Sequence, residues 1–340
     1  MDQRFPHITS AQVFRRAATV LLLCVTFGGM LLTLPFAAAA VPGAQDEIRC
    51  AAPKPAPFAG VQSSDASPAL ASPVASPLAS PAAIPAESDS AGSGEAEIEL
   101  VVRTVAVCQS ESRVKTFSRF VTENFLGDVY AGGGSITRDQ FVELAKDLPN
   151  APVAIISVSN IEIDPNGTAT ADVVSTYGRQ LLRARWSFVF VPTEQEDATG
   201  ESEAVGTWWP DGVTPLPVEP PSGAGEIEVV LDENTYDPDA LRVRGPDIVL
   251  AARNRGDEDH EMLVLQFRHD VTTSDLLTAP GPALPNGVTV IGQLTVPAGT
   301  RGELVLVGVE RGEYVIVDLL PSADGTPHLA LGMDASLTVR

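Results

Sequence analysis

The stretch GEYVIVDLLPSADGTPHLALGM, residues 312–333, decides the fold of the C-terminal third of this chain. It opens with a Gly-x-Tyr sequence that leads into a short apolar strand and then a loop. That loop carries a carboxylate at Asp318, an imidazole at His328 and a thioether at Met333. Proteins use all three of these side-chain types to bind metals. The stretch therefore combines a predicted β-strand with candidate metal ligands.

A second stretch, NRGDEDHEMLVL at residues 254–265, adds a further imidazole. Asn254 and Gly256 precede His260, and a run of apolar residues follows it. The other histidine of this region, His269, is followed by an aspartate in a polar segment. Because such histidines are mostly surface residues, we do not count His269 among the candidate ligands.

The two stretches together resemble the ligand-bearing segments of the cupredoxins. In that family one histidine precedes a strand, and a cysteine, a histidine and a methionine follow in a C-terminal loop. His260, His328 and Met333 match three of these ligands, and Asp318 stands where the family has its cysteine. The resemblance implies an all-β Greek-key sandwich, cupredoxin-like, over residues 226–340, which we call the second unit. It also implies copper as the cofactor.

The replaced cysteine changes the expected chemistry of the site. A blue-copper centre joins two histidines and a thiolate with a weak axial methionine. Cys50 and Cys108 cannot supply this sulfur, because they lie in another part of the chain. Two imidazoles, a carboxylate and a thioether favour copper(II) or zinc over rapid copper cycling. The alternative is a site without cofactor, in which Asp318 accepts hydrogen bonds from both imidazoles.

Short strands separated by turn residues continue through the second unit, and this pattern is typical of a β-sandwich. We predict strands at residues 227–231, 241–243, 248–253, 262–267, 288–296, 302–309, 314–319 and 335–339. A short helical insertion is expected at residues 272–277, capped by Thr273 or Ser274.

Residues 96–211, which we call the first unit, begin with helical periodicity. A helix face is predicted by apolar residues spaced three and four apart, namely Val114, Phe117, Phe120, Val121 and Phe125. Thr137 and Gln140 form a capping box for a second helix that is expected to end near Pro149.

Strand periodicity follows in the first unit. Residues 153–163 and 168–177 predict a hairpin, because Asn166-Gly167 supplies the positive φ angles of a tight turn. A third strand is predicted at residues 181–191. This order of helices and strands resembles the NTF2-like or SnoaL-like α+β cone fold, in which a curved sheet wraps a helix.

A small-molecule binding or isomerase-like activity is one alternative for the first unit. Asp172 and Tyr177 lie on one predicted strand, and a carboxylate with a tyrosine is the pair that ketosteroid isomerase uses. However, an odd spacing places two residues on opposite faces of a regular strand. The aromatic side chains of the unit could line a cavity, but their periodicity favours core packing.

The N-terminal quarter predicts export. Residues 1–40 combine arginines, an apolar run and four alanines, which is the pattern of a signal peptide. An uncleaved membrane anchor is the alternative, since the apolar run approaches the length that spans a bilayer. Residues 41–95 are rich in Pro, Ala and Ser and predict a disordered stalk, and residues 212–225 predict a linker. We therefore expect a location outside the cytoplasm, either secreted or attached to the cell envelope.

Charge and cysteine content limit the partners. The formal net charge of −22 excludes a nucleic-acid-binding surface, which needs clustered Lys and Arg. After cleavage Cys50 and Cys108 would be the remaining cysteines, and an oxidising compartment would let them pair, with two free thiols as the alternative.

Three functions of different classes follow. The first is a non-catalytic, exported binding or interaction protein whose partner the sequence does not identify. The second is a copper-binding or electron-transfer protein that uses His260, Asp318, His328 and Met333. The third is small-molecule binding or isomerase-like activity in the first unit.

Overall fold

The computed structural model describes residues 48–58, 90–146, 148, 151–193, 205–238, 242–279 and 284–340. The predicted signal peptide and most of the predicted stalk lie outside these ranges, and so does Pro149. No helix within the described ranges is both long and apolar enough to cross a bilayer.

The two ends of the predicted stalk belong to the first unit instead. A disulfide joins Cys50 to Cys108. A short strand, β1 (Ala56–Pro57), pairs with the strand that contains Gly206. At the other end, helix α1 (Ser90–Ser110) begins before residue 96, where the first unit is predicted to start. The stalk prediction therefore applies only between these two anchored segments, which the described residues do not cover.

Three shorter helices follow α1: α2 (Val114–Phe117), α3 (Glu123–Tyr130) and α4 (Arg138–Leu144). The prediction of one continuous helix face is wrong, because one helix ends at Phe117 and a new helix begins at Glu123. The Thr122 hydroxyl accepts a hydrogen bond from the Phe125 N–H at 3.2 Å and starts a new helix there. The apolar residues of the predicted face are nevertheless buried in one core, except for the partly buried Val114. The predicted Thr137–Gln140 capping box is confirmed at α4.

The sheet of the first unit contains β2 (Val153–Asp164), β3 (Thr168–Tyr177), β4 (Gln180–Pro192) and β5 (Val205–Pro215). Adjacent strands pair antiparallel in this order, and β1 extends the sheet beyond β5. The predicted hairpin is confirmed, and Gly167 at its turn has a φ of 86°. Strand β5 continues past Asp211, where the first unit is expected to end.

One face of this sheet packs against the helices. Ala169, Ala171 and Val173 alternate on β3 and are almost completely buried, together with Trp186 and Phe188 on β4. The side chains of Phe117, Phe120, Phe125 and Phe141 meet them from the helices in a single core cluster. The first unit thus has helices on one face of an antiparallel sheet, while its NTF2-like identity stays a prediction.

The second unit is a sandwich of two sheets, and the predicted β-sandwich is confirmed at this level. Its strands are β6 (Gly225–Asp232), β7 (Thr235–Pro238), β8 (Arg242–Val243), β9 (Ile248–Asn254), β10 (His260–Phe267), β11 (Val288–Val296), β12 (Arg301–Leu306), β13 (Gly312–Val317) and β14 (Asp334–Val339). One sheet has the order β12-β9-β6-β7, and the other has the order β11-β10-β13-β14-β8.

The core of the second unit lies between its two sheets. Alternate residues of β6, such as Ile227, Val229 and Leu231, face alternate residues of β10, such as Met262 and Val264. Two local features differ from the sequence predictions. Strand β7 was not predicted, and helix α5 (Thr273–Thr278) begins after Thr272 rather than after Thr273 or Ser274.

The two units are joined through the turn between β3 and β4. The Arg179 N–H donates to the Ile291 carbonyl and the Arg179 carbonyl accepts from the Val307 N–H, both at 2.8 Å. Gln180 pairs with Leu306 of β12, which connects the sheet of the first unit to one sheet of the sandwich. The predicted linker at residues 212–225 is thus accompanied by a direct backbone contact between the units.

Candidate metal centre

The sandwich brings the predicted ligands together at one end. His260 is the first residue of β10, and Asp318 directly follows β13. These two strands pair antiparallel with Leu263 opposite Val317, so the start of one lies beside the end of the other. His328 opens a short 3₁₀ helix (His328–Leu331) in the loop after Asp318. The resulting cluster contains His260, Asp318 and His328.

One carboxylate oxygen is the centre of this cluster. Asp318 Oδ2 lies 2.9 Å from Nδ1 of His260 and 2.9 Å from Nδ1 of His328. The Glu261 backbone N–H donates to the same oxygen at 3.1 Å, and the Leu320 N–H donates to Oδ1 at 2.8 Å. Two backbone N–H groups and two imidazole nitrogens therefore surround the carboxyl group of Asp318, which satisfies a buried polar group.

The cluster is removed from solvent. Asp318 and His260 are 0% exposed and His328 is 1% exposed. The two imidazole rings have their centroids 4.7 Å apart and are inclined at 57°. One potential ligand atom from each of the three side chains lies within 4.8 Å of the other two. Two imidazoles and one carboxylate are donors that copper(II) and zinc accept.

Glu258 forms the outer boundary of the site and was not predicted from the sequence. Its Oε2 lies 2.9 Å from Nε2 of His328, and its Oε1 accepts from the Ala323 N–H at 3.0 Å. The hydrogen bond with Asp318, against the effect of burial and with help from Glu258, raises the pKa of His328 to about 8. The hydrogen bond with His328 in turn lowers the pKa of Glu258.

His260 differs from His328 in the surroundings of its second ring nitrogen. Nε2 of His260 is the one buried side-chain nitrogen or oxygen without a hydrogen-bond partner among the described residues. A Cβ atom at Gly256 would lie 3.1 Å from this nitrogen and 2.9 Å from Oε1 of Glu233. The glycine of the predicted motif therefore leaves space beside the ring of His260.

Glu261 is a buried carboxyl group that follows His260 in the chain, and the sequence did not predict it as part of the site. Burial first, and then the nearby charge of Asp318, raise the pKa of Glu261 to about 8. Its carbonyl accepts a hydrogen bond from the hydroxyl of Tyr236, on the unpredicted strand β7. Glutamates are mostly surface residues, so neither Glu258 nor Glu261 stands out within the acidic run that precedes His260.

Met333 is fully buried and belongs to the core of the sandwich. Its N–H donates to the His328 carbonyl at 3.0 Å, and its carbonyl accepts from the Asp318 N–H at 3.3 Å. Gly332 makes this turn with a φ of 100°. The backbone of Met333 is therefore adjacent to the site, while its role as a ligand stays a prediction.

The isomerase-like pair of the first unit is arranged differently. Asp172 lies on the sheet face opposite the helices, where Arg185 Nε donates to it at 2.8 Å and Arg183 Nη2 at 3.3 Å. The Asn160 amide completes this cluster at 3.0 Å. Tyr177 packs instead against a core cluster of the second unit. The hydrogen bond from Arg185 holds the pKa of Asp172 below its usual range, as in a structural ion pair.

Comparison with known proteins adds little to this geometry. No family model and no curated protein sequence matches the chain. Reduced auracyanin from the photosynthetic bacterium Roseiflexus castenholzii matches 35% of this chain and 99% of its own length at 21% identity, with a TM-score of 0.26.

Two further solved structures are similar at the same level. Auracyanin B matches 37% of this chain and 93% of its own, at 17% identity and a TM-score of 0.27. A multicopper oxidase from Campylobacter jejuni matches 50% of this chain and 43% of its own, at 11% identity and a TM-score of 0.23. At such scores we infer nothing about function from the likeness.

Proposed function

We propose that this chain is an exported metal-binding protein, and that its second unit binds one divalent copper or zinc ion through His260, Asp318 and His328. The observation that carries the proposal is the convergence of three buried ligand atoms within 4.8 Å of one another. Imidazole nitrogens and a carboxylate oxygen are ligands that copper(II) and zinc accept, so a bound cation would take the place of the protons that these groups share.

The donor set fits a divalent ion and does not fit a blue-copper centre. Asp318 occupies the position where the thiolate would be, and the two described cysteines are joined in a disulfide. We propose Met333 as the fourth ligand, because it matches the methionine ligand in the resemblance to the cupredoxins. When bound, the ion would supply a fixed positive charge and Lewis acidity. Electron transfer of the usual cupredoxin kind is not part of this proposal.

The protein's own groups would prepare the site for such an ion. The Glu261 and Leu320 N–H groups hold the carboxylate of Asp318 in place. Burial keeps water away from both imidazoles, which strengthens electrostatic attraction to a cation. We further propose that the first unit is an NTF2-like binding module and that the N-terminal segment directs export.

A metal-free interaction module is the second candidate function. It is favoured by the hydrogen bonding of Asp318, which has four donors without any ion. In that case the cluster stabilises the sandwich, and the function of the chain lies in binding a partner on its surface.

Calorimetric titration of the purified chain with Cu²⁺ and with Zn²⁺, followed by elemental analysis, distinguishes the two candidates. We expect one ion per chain, and loss of binding in His260→Ala and His328→Ala, since each removes one ligand. His269→Ala is the matched control, because His269 is exposed and lies in the same unit. If the unmodified chain takes up neither ion at micromolar concentration, the metal-binding proposal is wrong and the metal-free candidate remains.

A further inference from the structure

Glu258 connects the two loops that carry the histidines of the candidate metal centre. It lies in the loop between β9 and β10, which ends at His260, and its carbonyl accepts from the side-chain amide of Asn254 at 2.8 Å. Its carboxylate reaches the other loop, where it contacts Nε2 of His328 and the N–H of Ala323. One side chain therefore ties the loop before His260 to the loop that contains His328.

The ring of His328 is held at both nitrogens. Nδ1 faces Asp318 and Nε2 faces Glu258, each at 2.9 Å. A rotation of the ring would break both hydrogen bonds. In metal sites, the nitrogen of a ligating histidine that does not bind the ion usually donates to a carboxylate, which fixes the ring and its tautomer. The Glu258 carboxylate contacts the second ring nitrogen of His328 in this way.

The two histidines differ in the hydrogen-bond partner of Nε2. Nε2 of His260 has no hydrogen-bond partner among the described residues. A third of the Glu258 side chain is exposed to solvent, whereas the three side chains of the cluster are buried. Glu258 therefore lies between the ring of His328 and the surrounding water.

We infer that Glu258 is the positioning residue of the metal site: it holds His328 with Nδ1 directed at Asp318 and closes the site on the solvent side. This inference rests on the proposed metal binding. It assigns to Glu258 an effect on affinity through the orientation of one ring, not through direct contact with the ion.

Paired substitutions test the inference in the full chain. Glu258→Gln keeps the size of the side chain and removes its charge. Glu313→Gln is the matched control, because the Glu313 side chain is exposed and accepts from the Thr338 hydroxyl, at the end of β13 away from Asp318. We expect Glu258→Gln to weaken binding of Zn²⁺ by about 10- to 100-fold, in line with the usual effect of such partners. Glu313→Gln should change it by less than about 3-fold, as a loss of charge alone does at the surface.

A measurement on the metal-free chain separates this inference from the proposed function. Nitrogen-15 NMR of the imidazole rings should show the His328 resonances shifted in Glu258→Gln and the His260 resonances nearly unchanged. Glu258→Asp, which keeps the charge but shortens the side chain, should shift them as well and serves if the first variant unfolds. Equal loss of affinity in both glutamine variants, or an unchanged His328 spectrum, would overturn the inference. If the unmodified chain binds no ion, the proposed function fails and the spectra still decide the position of His328.

Discussion

Among the described residues, each unit buries one aspartate, and the two units compensate the buried charge in different ways. Asp172 of the first unit is 2% exposed and bonds to two arginines whose side chains are 53% and 40% exposed. Asp318 of the second unit is 0% exposed, and its partners are two imidazoles that are buried as well. The first cluster is therefore open to solvent on its cationic side, and the second is closed on all sides.

The arginine partners of Asp172 and the imidazole partners of Asp318 allow different chemistry. A guanidinium is always charged and does not bind metal ions, so the arginine partners of Asp172 are not metal ligands. An imidazole changes its charge near neutral pH and is a common metal ligand. Of the two clusters, the one at Asp318 therefore has the donors that our proposed metal site requires.

The largest change is expected from Asp318→Cys, which would convert the closed cluster into a site with a thiolate. With His260, His328 and Met333 retained, the variant should bind Cu²⁺ and gain an intense visible absorption band, because the copper–thiolate bond gives blue-copper sites their colour. Absorption spectroscopy measures this, with Asp318→Ser as a control that lacks the sulfur. Copper binding without the band would show that residue 318 does not occupy the cysteine position of the resemblance.

The closed cluster should also tolerate loss of its carboxylate charge less well than the open one. Asp318→Asn removes the charge from between two buried imidazoles, and breaking a buried pair in this way costs about 3–5 kcal/mol. We expect this loss in the free energy of unfolding, measured by urea denaturation in the presence of a chelator. A loss smaller than that of Asp172→Asn would contradict the contrast.

Asp172→Asn should have an intermediate effect. It weakens charge-assisted hydrogen bonds of Asp172, which typically contribute about 1.5–3 kcal/mol. The free arginines can turn to solvent, so no unpaired charge stays buried. The penalty should also depend on pH, because the pKa of Asp172 is lowered in the folded state and its contribution is lost as the pH falls through that value.

The pH dependence is measurable by urea denaturation of the unmodified chain and of Asp172→Asn at several pH values. The difference between them should be largest at neutral pH and should shrink below about pH 4, where the carboxyl group of the unfolded chain takes up its proton. A difference that stays constant down to about pH 3 would contradict a role for the charge of Asp172.

The smallest effect is expected from Arg183→Ala. Arg183 donates to Asp172 at 3.3 Å, whereas Arg185 donates at 2.8 Å. Because the Arg183 side chain is 40% exposed, solvent screens its interaction, and we expect a loss of less than about 1 kcal/mol. Arg185→Ala is the matched comparison and should cost more. Equal losses would indicate that the two arginines share the carboxylate evenly.

Local sequence signals predicted the parts of the structure that depend on neighbours in the chain. The capping box at Thr137 and the turn at Asn166-Gly167 each involve residues only a few positions apart, and both are present. The break near Thr122 was not predicted, since apolar spacing continues across it while a single hydroxyl starts the next helix.

The site was predicted to the extent that the resemblance supplied its members. His260, Asp318 and His328 come together as expected. Glu258 could not be recognised, because its partner is 70 residues away and its neighbours are also acidic. The same holds for the junction of the two units, where backbone groups with no sequence signature form the hydrogen bonds.

The turn between β3 and β4 has a consequence for the solubility of the sandwich. It supplies hydrogen-bond partners to the Ile291 carbonyl and the Val307 N–H, and the Gln180 side chain accepts from the Gln293 N–H. Without the first unit, the groups of β11 and of the residue after β12 would lie at unpaired strand edges, one in each sheet of the sandwich. Such edges recruit strands from other molecules and promote aggregation. The first unit thus covers these strand edges.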